Sequence, residues 1–290
     1  SGDLVWFDRS KVTVSILNNQ PELTENADKK VFFDLLLDKD NILWLSSTTN
    51  GIFRISFPKQ QFNLFQIATS NSNSLAGVAV KTIYQTRIGD IWLATRQSEV
   101  YCLDKNGRVK QIFSPKNYSI GNVYHIMEDS RGRLWFSTKG SGLVLAEINP
   151  GSPTGFNFSR FITDERNPLS LSGNDVYYTF EDKQHRIWVA TFGGGLNLIT
   201  SEKGTIVFKN KFNSFENYPK YGLYMEVRNI TEDKDGRIWV GTSDGLMSFD
   251  SNFKNPEKIG FEIYRNEMAS SNVSDNDIYV LYKDETSQIW

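Results

Sequence analysis

Adjacent carboxylates are the first residues of this chain whose type and spacing could do chemistry. Glu128-Asp129 opens "EDSRGR", Glu181-Asp182 opens "EDKQHR", and Glu232-Asp233 opens "EDKDGR". Two neighbouring carboxylates can act as acid and base on a glycosidic bond, or ligate calcium. A catalytic pair is needed once, however, and these pairs recur at regular intervals. Recurrence points to turn capping and strand-end hydrogen bonds. Histidine offers little more. His125 lies in "VYHIM", His185 holds a turn position that is glycine in other copies, and both read as structural. No G-x-S-x-G, H-E-x-x-H or C-x-x-C occurs, and no phosphate-cradling glycine loop precedes a helix. The run Gly193-Gly194-Gly195 falls at a hairpin turn, where turn geometry accounts for it. The expectation is a chain with no catalytic residue, no metal site and no cofactor.

The elements that carry these pairs repeat. Trp44, Trp92, Trp135, Trp188, Trp239 and Trp290 stand 48, 43, 53, 51 and 51 residues apart in turn. Six residues before the tryptophan comes Asp38, Asp129, Asp182, Asp233 or Asp284, with Thr86 the exception. Three before it stand Gly89, Gly132 and Gly236, varied to Asn41, His185 and Ser287. Three after it come Thr95, Thr138, Thr191 and Thr242, with Ser47 in the first copy. Twelve before it are Phe32, Val80, Val123, Val176, Val227 and Ile278. A period of this size is the signature of a repeat architecture.

Each copy reads as four short strands. "NVYHIMED" is a first strand, and "RGR" or "KDGR" supplies a polar hairpin turn. "LWFST" is a second strand, rich in aromatic and β-branched residues. Glycine-bearing turns such as "TKGSG" lead into third strands "GLVLAEI", "GLNLIT" and "GLMSFD", and looser aromatic segments such as "FNFSRFI" form the fourth. No stretch sustains a helical period. Four strands in ~40–50 residues is a β-propeller blade. The fold class is therefore all-β over 1–290, with five complete repeats and a partial blade at each end. "SGDLVWFD" matches a third strand and "KDETSQIW" a first turn and tryptophan. The two partial ends either meet to close a ring of about six blades or mark a piece of a longer array, and the second is expected, since an open half-blade leaves a sheet edge without a partner.

Composition narrows the function classes. The net charge is −2, so no field favours nucleic acid or an anionic membrane surface. No apolar run approaches the roughly 20 residues that span a bilayer, and no secretory leader stands at the start. The single cysteine, Cys102, excludes an internal disulfide and a cysteine-based zinc site.

At these columns the chain resembles the two-component regulator propeller repeat, of the form V-x-x-I-x-E-D-x-x-G-x-[IL]-W-[VI]-G-T-x-G-G-L, with "NPLSLS" between copies. The match is fullest around Trp188 and Trp239 and poorest around Trp92, where "RQSEV" replaces the glycine pair. The resemblance implies the periplasmic sensor region of a hybrid histidine kinase of Bacteroidetes type, with an oligosaccharide signal. It also implies that the chain is a fragment of a seven-bladed or double propeller, with a second propeller, a homodimer partner, and a membrane anchor and kinase elsewhere in a longer parent. Nucleic acid is not expected to touch this region. Two other readings stay open. One is an enzyme of the streptogramin-lyase or sialidase type, since "TEDKDGRIW" is similar to a sialidase Asp-box with altered spacing. The other is a scaffold for protein contacts.

Strand order predicts where a ligand would sit. The turns between second and third strands share a face with the links between blades, and the acidic turns lie on the other. The turns bring Thr49, Asn50, Arg96, Lys139 and Phe192 to that face. The links bring Asn122, Tyr124, Asn174, Tyr177, Tyr221, Tyr224, Arg228 and Asp277. Aromatic faces edged by amides and charges suit a sugar. The competing reading is that the tyrosines pack between blades. The expected ligand set is Lys139, Tyr124, Asn174, Tyr177, Phe192, Tyr221, Tyr224 and Arg228.

Overall fold

The computed structural model describes residues 5–8, 13–16, 32–39, 42–47, 51–56, 79–116, 118–266 and 275–290. The chain divides into two compact units, Ser1–Phe65 and Gln66–Trp290. In the first, β1 (Val5–Asp8) pairs with β2 (Thr13–Ile16), and β3 (Phe32–Leu37), β4 (Ile42–Ser47) and β5 (Gly51–Ser56) form an antiparallel meander. A fourth strand for this copy falls outside the described residues.

The second unit holds four sheets, each of four consecutive antiparallel strands. The first comprises β6 (Val80–Gln85), β7 (Ile91–Thr95), β8 (Val100–Leu103) and β9 (Val109–Phe113). The next has β10 (Asn122–Glu128), β11 (Leu134–Lys139), β12 (Gly142–Ile148) and β13 (Phe156–Phe161). The third has β14 (Val176–Glu181), β15 (Ile187–Thr191), β16 (Gly195–Glu202) and β17 (Thr205–Asn210). The last has β18 (Val227–Glu232), β19 (Arg237–Thr242), β20 (Gly245–Asp250) and β21 (Glu262–Tyr264). The first strands β6, β10, β14 and β18 lie next to one another in that order. The sole helical turn among the described residues is Pro256–Lys258. Residues 275–290 contribute an isolated bridge, Lys283 with Ile289.

The middle strands are buried on both faces, which is why their sequences are nearly continuous apolar runs. β15 is buried at all five positions and β11 at five of six. Large rings fill the space between sheets. Trp92 stacks on Phe113 at 5.7 Å and meets Phe136 of the following sheet edge-on at 5.4 Å. Trp188 likewise meets Phe249 of the next sheet at 5.0 Å.

The acidic pairs belong to this framework, as their recurrence suggested. Asp182 Oδ1 accepts the backbone N–H groups of Gln184 and Arg186, closing the turn. Its Oδ2 accepts the Trp188 indole N–H at 2.9 Å and the Arg186 guanidinium at 2.7 Å. The indole bond recurs from Trp135 to Asp129, Trp239 to Asp233, Trp44 to Asp38 and Trp290 to Asp284. The glutamate before each aspartate has a separate task. Glu128 accepts the N–H of Arg87, Glu181 that of Ser130 and Glu232 that of Lys183, each reaching the turn of the preceding blade. Where the column holds Lys283 in place of glutamate, the described residues give the Lys234 N–H no such acceptor.

The tryptophans differ in how far neighbours cover them. Trp92, Trp135 and Trp188 are buried, whereas Trp44 and Trp239 are half-buried and Trp290 is exposed. Coverage comes from the following sheet, and after Trp239 the described residues supply only the bridge at Lys283. A cavity of about 360 Å³ opens there between Trp239, Leu246 and Ile289.

Candidate link-end ligand face

The links and the turns between second and third strands do share one end of the blades. Gly142 N–H donates to the Asn174 carbonyl, Gly193 and Gly195 N–H to that of Met225, and Gly245 N–H to that of Asn276. Each of these three pairings ties a turn to the link entering the next blade, whereas Arg96 N–H donates to the Ala79 carbonyl in the link entering its own blade. The glycine run is explained by this approach. A Cβ on Gly194 would stand 2.5 Å from Thr191 Oγ1 and 2.7 Å from the Ser172 backbone.

A single column of residues is turned out at this end. Every described first strand carries a β-bulge one residue after its apolar column member, Phe32, Val80, Val123, Val176 or Val227. The register slips between Val80 and Thr82, Val123 and His125, Val176 and Tyr178, and Val227 and Asn229. In the first unit the slip lies between Phe32 and Asp34. The skipped residues of the second unit are Lys81, Tyr124, Tyr177 and Arg228, each eleven before its tryptophan, and Tyr279 holds the same place before Trp290. A bulge leaves one residue unpaired and re-aims its side chain. Here it does so at one sequence column throughout.

The column forms a continuous strip. Lys81 Nζ lies 4.3 Å from the Tyr124 ring centre and donates to Asn122 Oδ1 at 2.6 Å. Tyr124 and Tyr177 sit 5.0 Å apart, and Tyr177 stacks on Phe192 at 5.2 Å. The Arg228 guanidinium covers Phe192 at 5.5 Å and Tyr279 at 4.0 Å, held by Asp277 at 3.1 Å and Ser243 at 2.9 Å. The strip thus runs cation, three aromatics, cation, aromatic. Its members are half-buried except Tyr279, which is exposed.

The other expected residues lie apart from it. Lys139 is exposed at the end of β11, and Tyr221 is exposed in the link before β18. Asn174 is committed to the chain itself, its Oδ1 accepting the Thr163 N–H and its carbonyl the Gly142 N–H. Tyr224 needs correction. Its ring is 4% exposed and packs in the core with Trp188 and Phe249, so it cannot face a ligand here. The link turns at Gly222, and the ring swings inward beside Tyr218, whose hydroxyl bonds the Tyr224 carbonyl at 2.7 Å. Thr49 and Asn50 lie outside the described residues. Lys81 and Tyr279 belong to the strip and were not expected in it. Reading one place beyond the Val80 and Ile278 column would have found both.

The two histidines differ in environment. His125 is buried, stacks on Tyr178 at 3.8 Å and accepts the Thr179 N–H through Nδ1. Burial pushes its pKa down to about 3. His185 sits in its turn at φ 60° with an exposed side chain. Among the described residues no three His, Cys, Asp or Glu side chains are grouped so as to hold a metal ion.

Comparison with known proteins agrees with this frame. The family model described as "Two component regulator propeller" matches residues 117–140, 170–193 and 222–244. The three matched segments fall in three successive blades. Each match runs from a link through the bulge residue and the acidic turn to the second-to-third turn. A curated relative, histidine kinase P4 of Formosa agariphila, is 23% identical over 82% of this chain and 20% of its own length. The extracellular domain of a putative hybrid two-component system from B. thetaiotaomicron is similar in structure, with a TM-score of 0.57 and 23% identity over 89% of this chain and 32% of that one. PorZ of Porphyromonas gingivalis, a surface component of the type-IX secretion system, gives a TM-score of 0.52 and 15% identity over 87% of this chain and 36% of its own. The chain thus spans about a fifth of the curated relative and about a third of these structures. Both solved structures bear on the fold alone. No helix among the described residues is long and apolar enough to cross a membrane.

Proposed function

We propose that this chain is an extracytoplasmic, periplasmic sensor region, reading an oligosaccharide at the link end for a histidine kinase elsewhere in a longer parent. The observation that carries the reading is the bulge column. Four first strands of the second unit repeat one backbone irregularity and carry lysine, tyrosine or arginine at it, which is the arrangement of a variable reading surface on a constant frame. Stacked aromatic faces flanked by Lys81 and Arg228 offer an apolar platform with hydrogen-bond donors at its edges, the requirement of a sugar ring. The matched repeat model and the histidine kinase relative support the setting. A second propeller and a homodimer partner would convert binding into a signal if they favour one of two arrangements.

Affinity should be micromolar or weaker (on the order of −8 kcal/mol), because many polar groups lose water on binding. Calorimetry with di- to hexasaccharides tests this directly. Tyr177→Ala, Arg228→Ala and Lys81→Ala should each weaken a sugar that binds, whereas Lys234→Ala at the acidic turns should leave it unchanged. The opposite pattern would reject the face, and cleavage of a panel sugar would reject the sensor reading in favour of an enzyme.

A further inference from the structure

The seam between the β10–β13 and β14–β17 blades opens, at the acidic-turn end, into a cleft of about 370 Å³. Its origin is a difference between two equivalent seams. In the next one, Arg186 Nη2 donates to the Ser251 carbonyl at 2.7 Å and its guanidinium covers Phe253 at 4.2 Å, so the arginine bridges both blades. Arg133 is the counterpart of Arg186, and Thr200, twelve residues after its tryptophan, is the counterpart of Ser251. Thr200 lies inside β16, paired with Val207 in a hairpin that runs on to Thr205, whereas Ser251 follows the end of β20. Arg133 keeps its Nε bond to Asp129, but its terminal nitrogens meet no such carbonyl and face the cleft. The Thr200 hydroxyl beside it is buried and has no hydrogen-bond partner.

We propose that this cleft is a binding site for a small neutral polyhydroxyl ring, separate from the link-end face. Charge selects the class. Both signs crowd the cleft: Arg133 is already held by Asp129, His185 stands against Glu181, and Arg131 and Glu147 complete the lining, so no field of one sign selects a charged ligand. Glu181 is already engaged by the Ser130 N–H and hydroxyl, while Glu147 is exposed and can accept. Guanidinium donors, a carboxylate acceptor and the hydroxyls of Ser159 and Ser201 then stand within one cleft. A ring hydroxyl is donor and acceptor at once and needs both kinds side by side. Half-buried Ile199 and Ile206 offer an apolar wall to the ring face. The volume is at the small end of ligand pockets, roughly 300–1,000 Å³, and suits one or two rings.

Saturation-transfer NMR on the 290-residue chain, titrated with glucose and myo-inositol beside glucuronate and glucosamine, tests the assignment. The neutral rings should give a saturable signal that the charged ones do not match. Ser159 is exposed on β13, so Ser159→Trp should fold and fill the cleft, weakening the neutral rings by about tenfold or more; Arg131→Ala should weaken them by a few-fold, in line with one lost hydrogen bond. Tyr177→Ala should change nothing, which separates this site from the link-end face. No saturable signal, a preference for glucuronate or glucosamine, or equal binding by Ser159→Trp would each overturn the proposal.

Discussion

The two ends of the blades use the same repeat in opposite ways. At the acidic-turn end two carboxylate columns recur, and both are spent on the frame. Aspartate closes the turn and holds the indole, and glutamate fastens the preceding blade. At the link end the backbone is equally uniform, with a bulge in every described first strand, but the side chain it presents changes from lysine to tyrosine to arginine. Invariance in such a chain marks architecture. Variation on an invariant backbone marks the place where the molecule can be specific.

The largest effect that tests this contrast should come from the frame. Trp188→Ala removes a fully buried ring and its bond to Asp182, and should cost roughly 3–5 kcal/mol in denaturant unfolding. Trp239→Ala should cost about half as much, since that ring is half-buried. It should still harm folding more than ligand affinity. A Trp188→Ala variant of unchanged midpoint would break the frame reading.

Next comes pH. His125 has a folded pKa of about 3 against an unfolded value near 6.5, so burial stabilises the fold only while the imidazole is neutral. Below about pH 6 the unfolded chain binds the extra proton, and stability should fall by about 1.4 kcal/mol per pH unit down to about pH 3. The contribution is intact above pH 6.5. His125→Phe should flatten this slope in urea titrations at stepped pH, though it forfeits the Thr179 bond. A slope unchanged by the substitution would place the acid sensitivity elsewhere.

The smallest effect concerns the odd column member. Thr86 replaces aspartate, and its hydroxyl donates to the Asp90 carbonyl instead of accepting the turn amides. Thr86→Asp should supply acceptors for the turn and for the Trp92 indole and raise stability by about 1 kcal/mol. A loss on thermal melting would show that this blade has settled into another way of closing its turn.

Legibility followed the range of the interaction. The bond from Trp188 to Asp182 spans six residues, and a periodic column of such pairs announces itself in one sequence. The shared face was equally legible, since it depends only on strand order. Tyr224 was not, because alternation alone does not say whether a ring in an irregular link turns out or in. The half-burial of Trp239 depends on what lies across the seam, and Thr200 differs from Ser251 only through how far β16 pairs with β17. Interactions between copies leave weaker marks than those within one.

The glutamate clips bear on how such a chain can grow. The β10–β13 and β14–β17 blades each carry, within about ten residues of their own sequence, the carboxylate that grips the blade before and the turn amide taken by the blade after. A duplicated blade therefore arrives with both plug and socket, and an insertion at a link breaks one seam while creating two compatible ones. Copy number can drift without any new surface being invented, while the outward-turned column of each newcomer is free to diverge.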